Sequence, residues 1–182
     1  MRVTAGIHRN RGLVVPKNGL RPTMDQVRQA LFNILGSVRD AAFLDLYAGS
    51  GSVGIDALSR GAARCAFVDS DPLSCAAIKR NLALLAREGE VYTQTVVSWV
   101  RAWRGEPFDF VFLDPPYHDL AGQNALLTGE MAALTRKRLI YEYEARRGPP
   151  HIIGFVLDKQ RTYGESALAF YSPENSIKTE ID

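Results

Sequence analysis

Cysteine, histidine and long apolar runs are all scarce in this chain of 182 residues, and each scarcity removes a class of function. Two cysteines, Cys65 and Cys75, are too few for the disulfide framework of a small secreted scaffold. With three scattered histidines they show no metal-ligand spacing, so no metal site is expected and both cysteines read as packing residues. No stretch approaches the ~20 apolar residues of a membrane span, and the start Met1-Arg2-Val3-Thr4-Ala5-Gly6 lacks the apolar centre of a signal peptide. A cytoplasmic protein is expected. Negative charge is nearly missing from the front: residues 1 to 28 hold Arg2, Arg9, Arg11, Lys17, Arg21 and Arg28 against the single acid Asp25. A segment of that kind is a solvated surface or an electrostatic footprint for an anionic partner.

What is present has an ordinary globular balance, 46% hydrophobic and 23% charged, which excludes a disordered or fibrous chain. The length fits one domain, or one domain with a short appendage. Residues 2 to 5 and 13 to 15 read as two short strands around the polar connection Ile7-His8-Arg9-Asn10-Arg11-Gly12, a basic hairpin. Thr23 follows Pro22 and precedes Gln26 by three residues, a capping-box pattern ahead of Val27, Ala30, Leu31, Ile34 and Leu35 at helical spacing. Strands and helices then alternate. Strands are expected at 42–47, 64–68, 91–97, 108–113 and 138–142, and helices at 53–60, 72–87 and 124–134. Repeated βαβ units imply a mostly parallel sheet with helices on both faces. The final runs, 152–157 and 167–171, are separated by Tyr163-Gly164-Glu165 without a helix, so the sheet edge is expected to be antiparallel.

The strand Phe43-Leu44-Asp45-Leu46-Tyr47 runs into Ala48-Gly49-Ser50-Gly51-Ser52-Val53-Gly54, a Gly-x-Gly-x-x-Gly turn between strand and helix. Glycines there let the chain turn sharply and let a nucleotide-type cofactor approach the backbone. The next strand ends at Asp69, an acceptor suited to ribose hydroxyls. NAD would bring a pyrophosphate anion, which a carboxylate in the preceding strand opposes. S-adenosylmethionine brings an ammonium and a sulfonium, which Asp45 favours. The plainer alternative, in which Asp45 is a structural acid holding loop amides, stays open. Asp71, beside Pro72, reads as a helix N-cap.

The strongest signal lies further on. The apolar strand Phe108-Asp109-Phe110-Val111-Phe112-Leu113 delivers Asp114-Pro115-Pro116-Tyr117. Two prolines fix an extended backbone without amide protons, leaving the Asp114 side chain and the Pro115 carbonyl as outward acceptors. Two acceptors match the two hydrogens of an exocyclic amino group. Such a nitrogen has its lone pair delocalised into the base, so holding both N–H groups frees the lone pair for in-line attack on a sulfonium methyl. Asp114 then stabilises the nitrogen as it becomes positive. Tyr117 offers a flat face on which a base stacks, and His118 reads as a loop residue.

These residues resemble a known family, the bacterial guanine-N2 methyltransferases of small-subunit (16S) ribosomal RNA, of the RsmD type. The resemblance runs from about residue 2 to 171. It is carried by Arg11-Gly12, Leu20-Arg21-Pro22-Thr23, Val27-Arg28, Leu31-Phe32-Asn33, Leu44 to Gly51, Ala57-Leu58-Ser59-Arg60-Gly61-Ala62, Asp114-Pro115-Pro116-Tyr117 and Tyr163-Gly164. It implies an α/β fold, a Rossmann-like class I methyltransferase with a seven-stranded sheet, to which the residues themselves add the mostly parallel order with helices on both faces, the antiparallel edge and the basic N-terminal hairpin. The methionine part of S-adenosylmethionine is implied at Asp45, Tyr47, Ala48, Gly49, Ser50 and Gly51, and ribose at Asp69, with Ser70 a further cofactor-binding candidate. Catalysis is implied at Asp114, Pro115, Pro116 and Tyr117. The position that meets adenine in many such enzymes is here Thr95, which either accepts a hydrogen bond or merely packs. Ribosomal RNA, or an assembled small subunit, is the implied partner.

The basic front fits that partner. Arg9, Arg11, Arg21, Thr23 and Arg28 are candidate RNA contacts, giving affinity and orientation rather than base choice; Arg28 also reads as an ordinary helix-surface residue. The expected organisation is a hairpin extension at 1–20, a methyltransferase domain at 21–173, and a flexible acidic tail at 174–182. A DNA adenine or cytosine amino-methyltransferase needs a target-recognition region, for which the residues after Tyr117 leave no room. An NAD-dependent oxidoreductase and a catalytically silent RNA-binding protein are the remaining alternatives.

Overall fold

The computed structural model describes residues 1–16, 25–116, 119 and 129–174. In chain order the elements are α1 (Asp25–Leu35), β1 (Ala42–Leu46), α2 (Ser52–Ser59), β2 (Arg64–Asp69), α3 (Pro72–Leu84), β3 (Glu90–Thr93) and α4 (Val96–Ala102). There follow β4 (Phe108–Leu113), α5 (Glu130–Leu134), β5 (Thr135–Glu144), a 3₁₀ turn (Ala145–Arg147), β6 (Phe155–Tyr163) and β7 (Ser166–Pro173). The strands form one seven-stranded sheet in the order β3-β2-β1-β4-β5-β7-β6. Within it β1–β2, β2–β3 and β4–β5 pair in parallel, whereas β5–β7 and β7–β6 are antiparallel. The mostly parallel sheet with an antiparallel edge is therefore as expected.

The chain divides into two compact units, Met1–Val96 and Val97–Asp182. In the first, every residue of β1 is buried, as befits a strand covered on both faces. Helix α1 stops where Gly36 adopts φ 76°, its amide donating to the Phe32 carbonyl at 3.0 Å. Asp71 caps α3 as expected, accepting from the amides of Leu73 and Ser74 while Pro72 occupies the first turn. Cys65 and Cys75 are free and buried.

The third strand is shorter than its sequence suggests. Instead of extending over 91–97 it ends at Thr93, and residues 96–102 form α4. The β-branched run Thr95-Val96-Val97 reads as extended, but burial of Val96, Trp99 and Val100 follows helical spacing.

At the front, the expected two-stranded hairpin reduces to one antiparallel bridge, Arg2 with Gly12, among the described residues. The segment is nonetheless tied down, because its polar groups find partners on α2. The Thr4 amide and hydroxyl donate to Asp56 at 2.7 and 2.9 Å, the Ile7 amide donates to the Ser59 carbonyl, and the Ser59 hydroxyl donates to the Ala5 carbonyl. Gly6 makes this approach possible. It sits at φ 80°, and a Cβ there would lie 1.9 Å from the Ser59 carbonyl oxygen. Gly6→Ala is expected to cost about 1–3 kcal/mol of stability, read as a fall in urea midpoint at constant m-value; an unchanged midpoint would contradict this docking.

In the second unit, Trp99 stacks on Trp103 at 4.7 Å, and Phe108 lies 5.6 Å from Trp103, closing an aromatic cluster at the start of β4. The expected helix over 124–134 is described only as α5, residues 124–128 lying outside the described residues. Strand β6 starts at Phe155 and runs to Tyr163, well past the expected end at 157. Its polar residues Asp158, Lys159, Gln160 and Arg161 are exposed because β6 is the sheet edge, where charges deter further strand pairing. Gly164, at φ 62°, turns the chain into β7.

Candidate active site

The glycine turn closes at the carboxyl ends of β1 and β2. The Ala48 amide donates to the Val68 carbonyl at 3.1 Å, and the Gly51 amide to the Ala48 carbonyl at 2.7 Å. Tyr47 adopts φ 58°, a left-handed conformation that costs a non-glycine residue about 1–3 kcal/mol. Gly51 follows at φ 73°, and a Cβ there would meet Ile78 at 2.9 Å. The backbone is thus strained and tightly packed where Ser50 is buried and Gly49 is half-buried.

Two carboxylates hold this turn. Asp45 is fully buried and accepts from the Gly54 amide at 2.8 Å, serving the first turn of α2, whose N-cap Gly51 supplies no side chain. Asp69 accepts from the Gly49 amide at 2.8 Å and from the Asp71 amide at 2.8 Å. The structural alternative weighed for Asp45 is realised, and Asp69 shares it. Neither arrangement consumes all the lone pairs of a carboxylate.

Burial pushes the Asp45 carboxyl up to about 8, against the lowering by the Gly54 amide; nearby Asp69 raises it further and Arg28 lowers it. A carboxyl held above its unfolded value keeps a proton in the native state. Its stabilisation is complete below about pH 4 and is lost as pH rises to about 8. Between pH 6 and about 8, wild-type melting temperature is therefore expected to fall more steeply than that of Asp45→Asn; parallel curves would refute the assignment.

Ser70 is exposed just after Asp69, and Thr95 is exposed in the turn between β3 and α4. Thr95 thus stands immediately before a helix, not within a strand. The Gln94 amide donates to the Asp69 carbonyl at 3.0 Å, tying this turn to the ribose candidate.

In the second unit, β4 is buried at Phe108 and from Phe110 to Leu113, and opens at Asp114, which is half-buried; Pro115 is buried and Pro116 half-buried. The last rung pairs Leu113 with Tyr141 of β5, so Asp114 is the first residue beyond the ladder. Tyr117 lies outside the described residues, as do Arg21, Thr23 and His118.

The family model for "Conserved hypothetical protein 95" matches residues 1–172. Ribosomal RNA small subunit methyltransferase D of Haemophilus influenzae is 37% identical over 94% of this chain and 93% of its own. The protein of the same name from Escherichia coli is 36% identical over 100% of this chain and 94% of its own. The chain belongs to the RsmD family of ribosomal RNA methyltransferases. The solved structure of yhhF from Escherichia coli superposes with a TM-score of 0.83 at 32% identity, covering 96% of this chain and 98% of that one.

Against the RsmD-type expectation, the basic front divides. Arg9 and Arg11 are exposed and available to phosphates. His8 beside them has its pKa lowered by burial and then by the charges of Arg87 and Arg11, the mark of a positive surround. Arg28 is a correction. It is fully buried, its Nε donating to Asp56 at 2.9 Å and its terminal nitrogen to the Arg2 carbonyl at 2.6 Å and to Asp25 at 3.0 Å. A guanidinium spent on these partners pins the N-terminal segment and does not meet RNA.

Sequence reasoning about the RsmD-type site missed two other polar pins. Asp56, fully buried in the apolar stretch Gly54-Ile55-Asp56-Ala57-Leu58, holds both Thr4 and Arg28. Asn81, equally buried, accepts from the Val14 amide at 2.7 Å and donates to the Val14 carbonyl at 2.9 Å and to the Ser50 carbonyl at 3.2 Å. It thereby joins the N-terminal segment to the glycine turn. The available signal was a polar residue inside an apolar stretch at Asp56, and a polar residue next to the buried Ile78 and Leu82 at Asn81.

Proposed function

We propose that this chain transfers the methyl group of S-adenosylmethionine to the exocyclic N2 amino group of one guanine in small-subunit (16S) ribosomal RNA. The observation that carries the reading is Asp114, released from β4 directly ahead of Pro115 and Pro116. Its carboxylate accepts one amino hydrogen and the Pro115 carbonyl the other. Nitrogen's lone pair is then freed toward the sulfonium methyl, and positive charge passes from sulfur to nitrogen beside an anion. S-adenosylmethionine supplies the methyl group. An ammonium-bearing cofactor beside the buried Asp45 would draw its carboxyl into the ionised form, and the turn from Tyr47 to Gly51 receives its methionine part, with Asp69 and Ser70 at the ribose and Thr95 at the adenine. Tyr117 stacks on the guanine, while Arg9, Arg11, Arg21 and Thr23 in the basic front hold the RNA backbone.

Mass mapping of small-subunit ribosomal RNA from cells with and without the active chain tests this reading. One guanine is expected to carry an N2-methyl group only when the chain is active. An unchanged set of modified guanines would overturn it.

A further inference from the structure

Both oxygens of Ser50 in the glycine turn are held from outside the turn. Its hydroxyl donates to the Met1 sulfur at 3.4 Å, and its carbonyl accepts from the Asn81 side chain at 3.2 Å. The same Asn81 amide accepts from the Val14 amide at 2.7 Å and donates to the Val14 carbonyl at 2.9 Å, pairing both groups as a neighbouring strand would. Two of its three bonds thus go to the N-terminal segment and one to the turn. Met1 and Val14 belong to one folded piece, because the Leu13 amide donates to the Met1 carbonyl at 3.1 Å. Asn81 is fully buried in α3 and Ser50 is buried beside it, so each of these bonds is costly to leave unmade. An amide that loses Val14 keeps one bond of three and reorients toward new partners. The hold on Ser50 goes with it.

We propose that Asn81 is a positioning residue of the cofactor turn, holding Ser50 in place only while the N-terminal segment is docked, so that S-adenosylmethionine binding and docking of the segment reinforce each other. This rests on the reading that places the methionine part of the cofactor between Tyr47 and Gly51. Tyr47, at φ 58°, stores strain in that turn, and a strained turn keeps its shape only through props supplied by its surroundings. The segment has two arrangements, docked and released. A ligand that meets Ser50 well only in the docked one shifts the population toward it, and linkage then requires that docking raise the affinity for the ligand by the same factor. Arg9 and Arg11 lie on this segment, so cofactor occupancy also orders the arginines assigned to RNA above.

The test uses the full chain, trypsin and S-adenosylhomocysteine, which has no methyl group to transfer. Cleavage at the exposed Arg9 and Arg11 under native conditions reports the released population. Saturating S-adenosylhomocysteine is expected to slow this cleavage about 10-fold in the wild type, a factor typical of coupled sites. In Asn81→Leu, which keeps the bulk and none of the three bonds, the protection is expected to shrink to about twofold or less, with affinity for S-adenosylhomocysteine about 10-fold weaker. A merely structural role would speed cleavage with and without the ligand alike and leave the protection factor at its wild-type value. A protection factor that survives Asn81→Leu overturns the inference, as does wild-type cleavage that S-adenosylhomocysteine leaves unchanged, a result independent of how the variant folds. Asp69→Ala separates this from the reading beneath it. That variant is expected to bind S-adenosylhomocysteine about 10–100-fold more weakly, the loss of a charge-assisted hydrogen bond. An unaltered affinity overturns the placement of the cofactor and the inference together, whereas the expected loss beside an unprotected wild type overturns the inference alone.

Discussion

Asp114→Ala is expected to lower kcat for RNA methylation by about 10³-fold while leaving cofactor affinity within about twofold. The residue stands where β4 ends, and the two prolines behind it have no amide hydrogen to donate to its carboxylate. Its contribution is largest in the transition state, when the amino nitrogen becomes positive, so the loss falls on kcat and not on ground-state binding. Asp114→Asn keeps an acceptor oxygen without the charge and should fall between, at about 10–100-fold. The measurement is single-turnover transfer of labelled methyl groups to small-subunit particles. A variant Asp114→Ala with nearly wild-type kcat would refute the assignment.

Arg28→Met is expected to destabilise the fold by about 3–5 kcal/mol, the loss seen when one partner of a buried ion pair is removed. Arg28 and Asp56 are both fully buried with their charged atoms 2.9 Å apart. Without the guanidinium, Asp56 keeps its bonds from Thr4 but loses its hydrogen-bonded counter-charge, and the Arg2 carbonyl loses its donor. Replacing Asp56 by Asn in the Arg28→Met background should therefore recover about 1 kcal/mol or more. Urea unfolding supplies the free energies. Limited proteolysis at the basic turn should also accelerate, because that segment loses an anchor. If Arg28 were instead a phosphate contact, the variant would keep its stability and lower only the salt dependence of RNA binding.

These two residues differ in how much of their place in the fold the sequence conveys. The place of Asp114 at a strand end was readable because its neighbours are informative: an apolar strand, then two prolines whose backbone consequences are local and fixed. Arg28 was not, since a basic residue in a basic segment looks the same whether it faces water or pins a helix. Thr95-Val96-Val97 misled for a related reason. β-Branched residues favour extended backbone locally, yet the buried contacts of Val96, Trp99 and Val100 outweigh that preference. The outer half of β6 was unreadable as a strand because the edge position that fixes its conformation leaves its side chains polar and exposed.

The sequence by itself determined the alternation of strands and helices, the glycine turn after β1, the acids at 45, 69 and 114, and the antiparallel ending around Gly164. Each of these depends on periodicity or backbone geometry within a few residues. Only the tertiary structure decided which polar groups turn inward. It buried Arg28 against Asp56, ran Asn81 between Val14 and Ser50, and set Thr4 on Asp56. The physical reason is common to all three. Satisfying a buried hydrogen-bonding group or charge takes a partner distant in sequence, and local pattern carries no information about which partner the fold will bring.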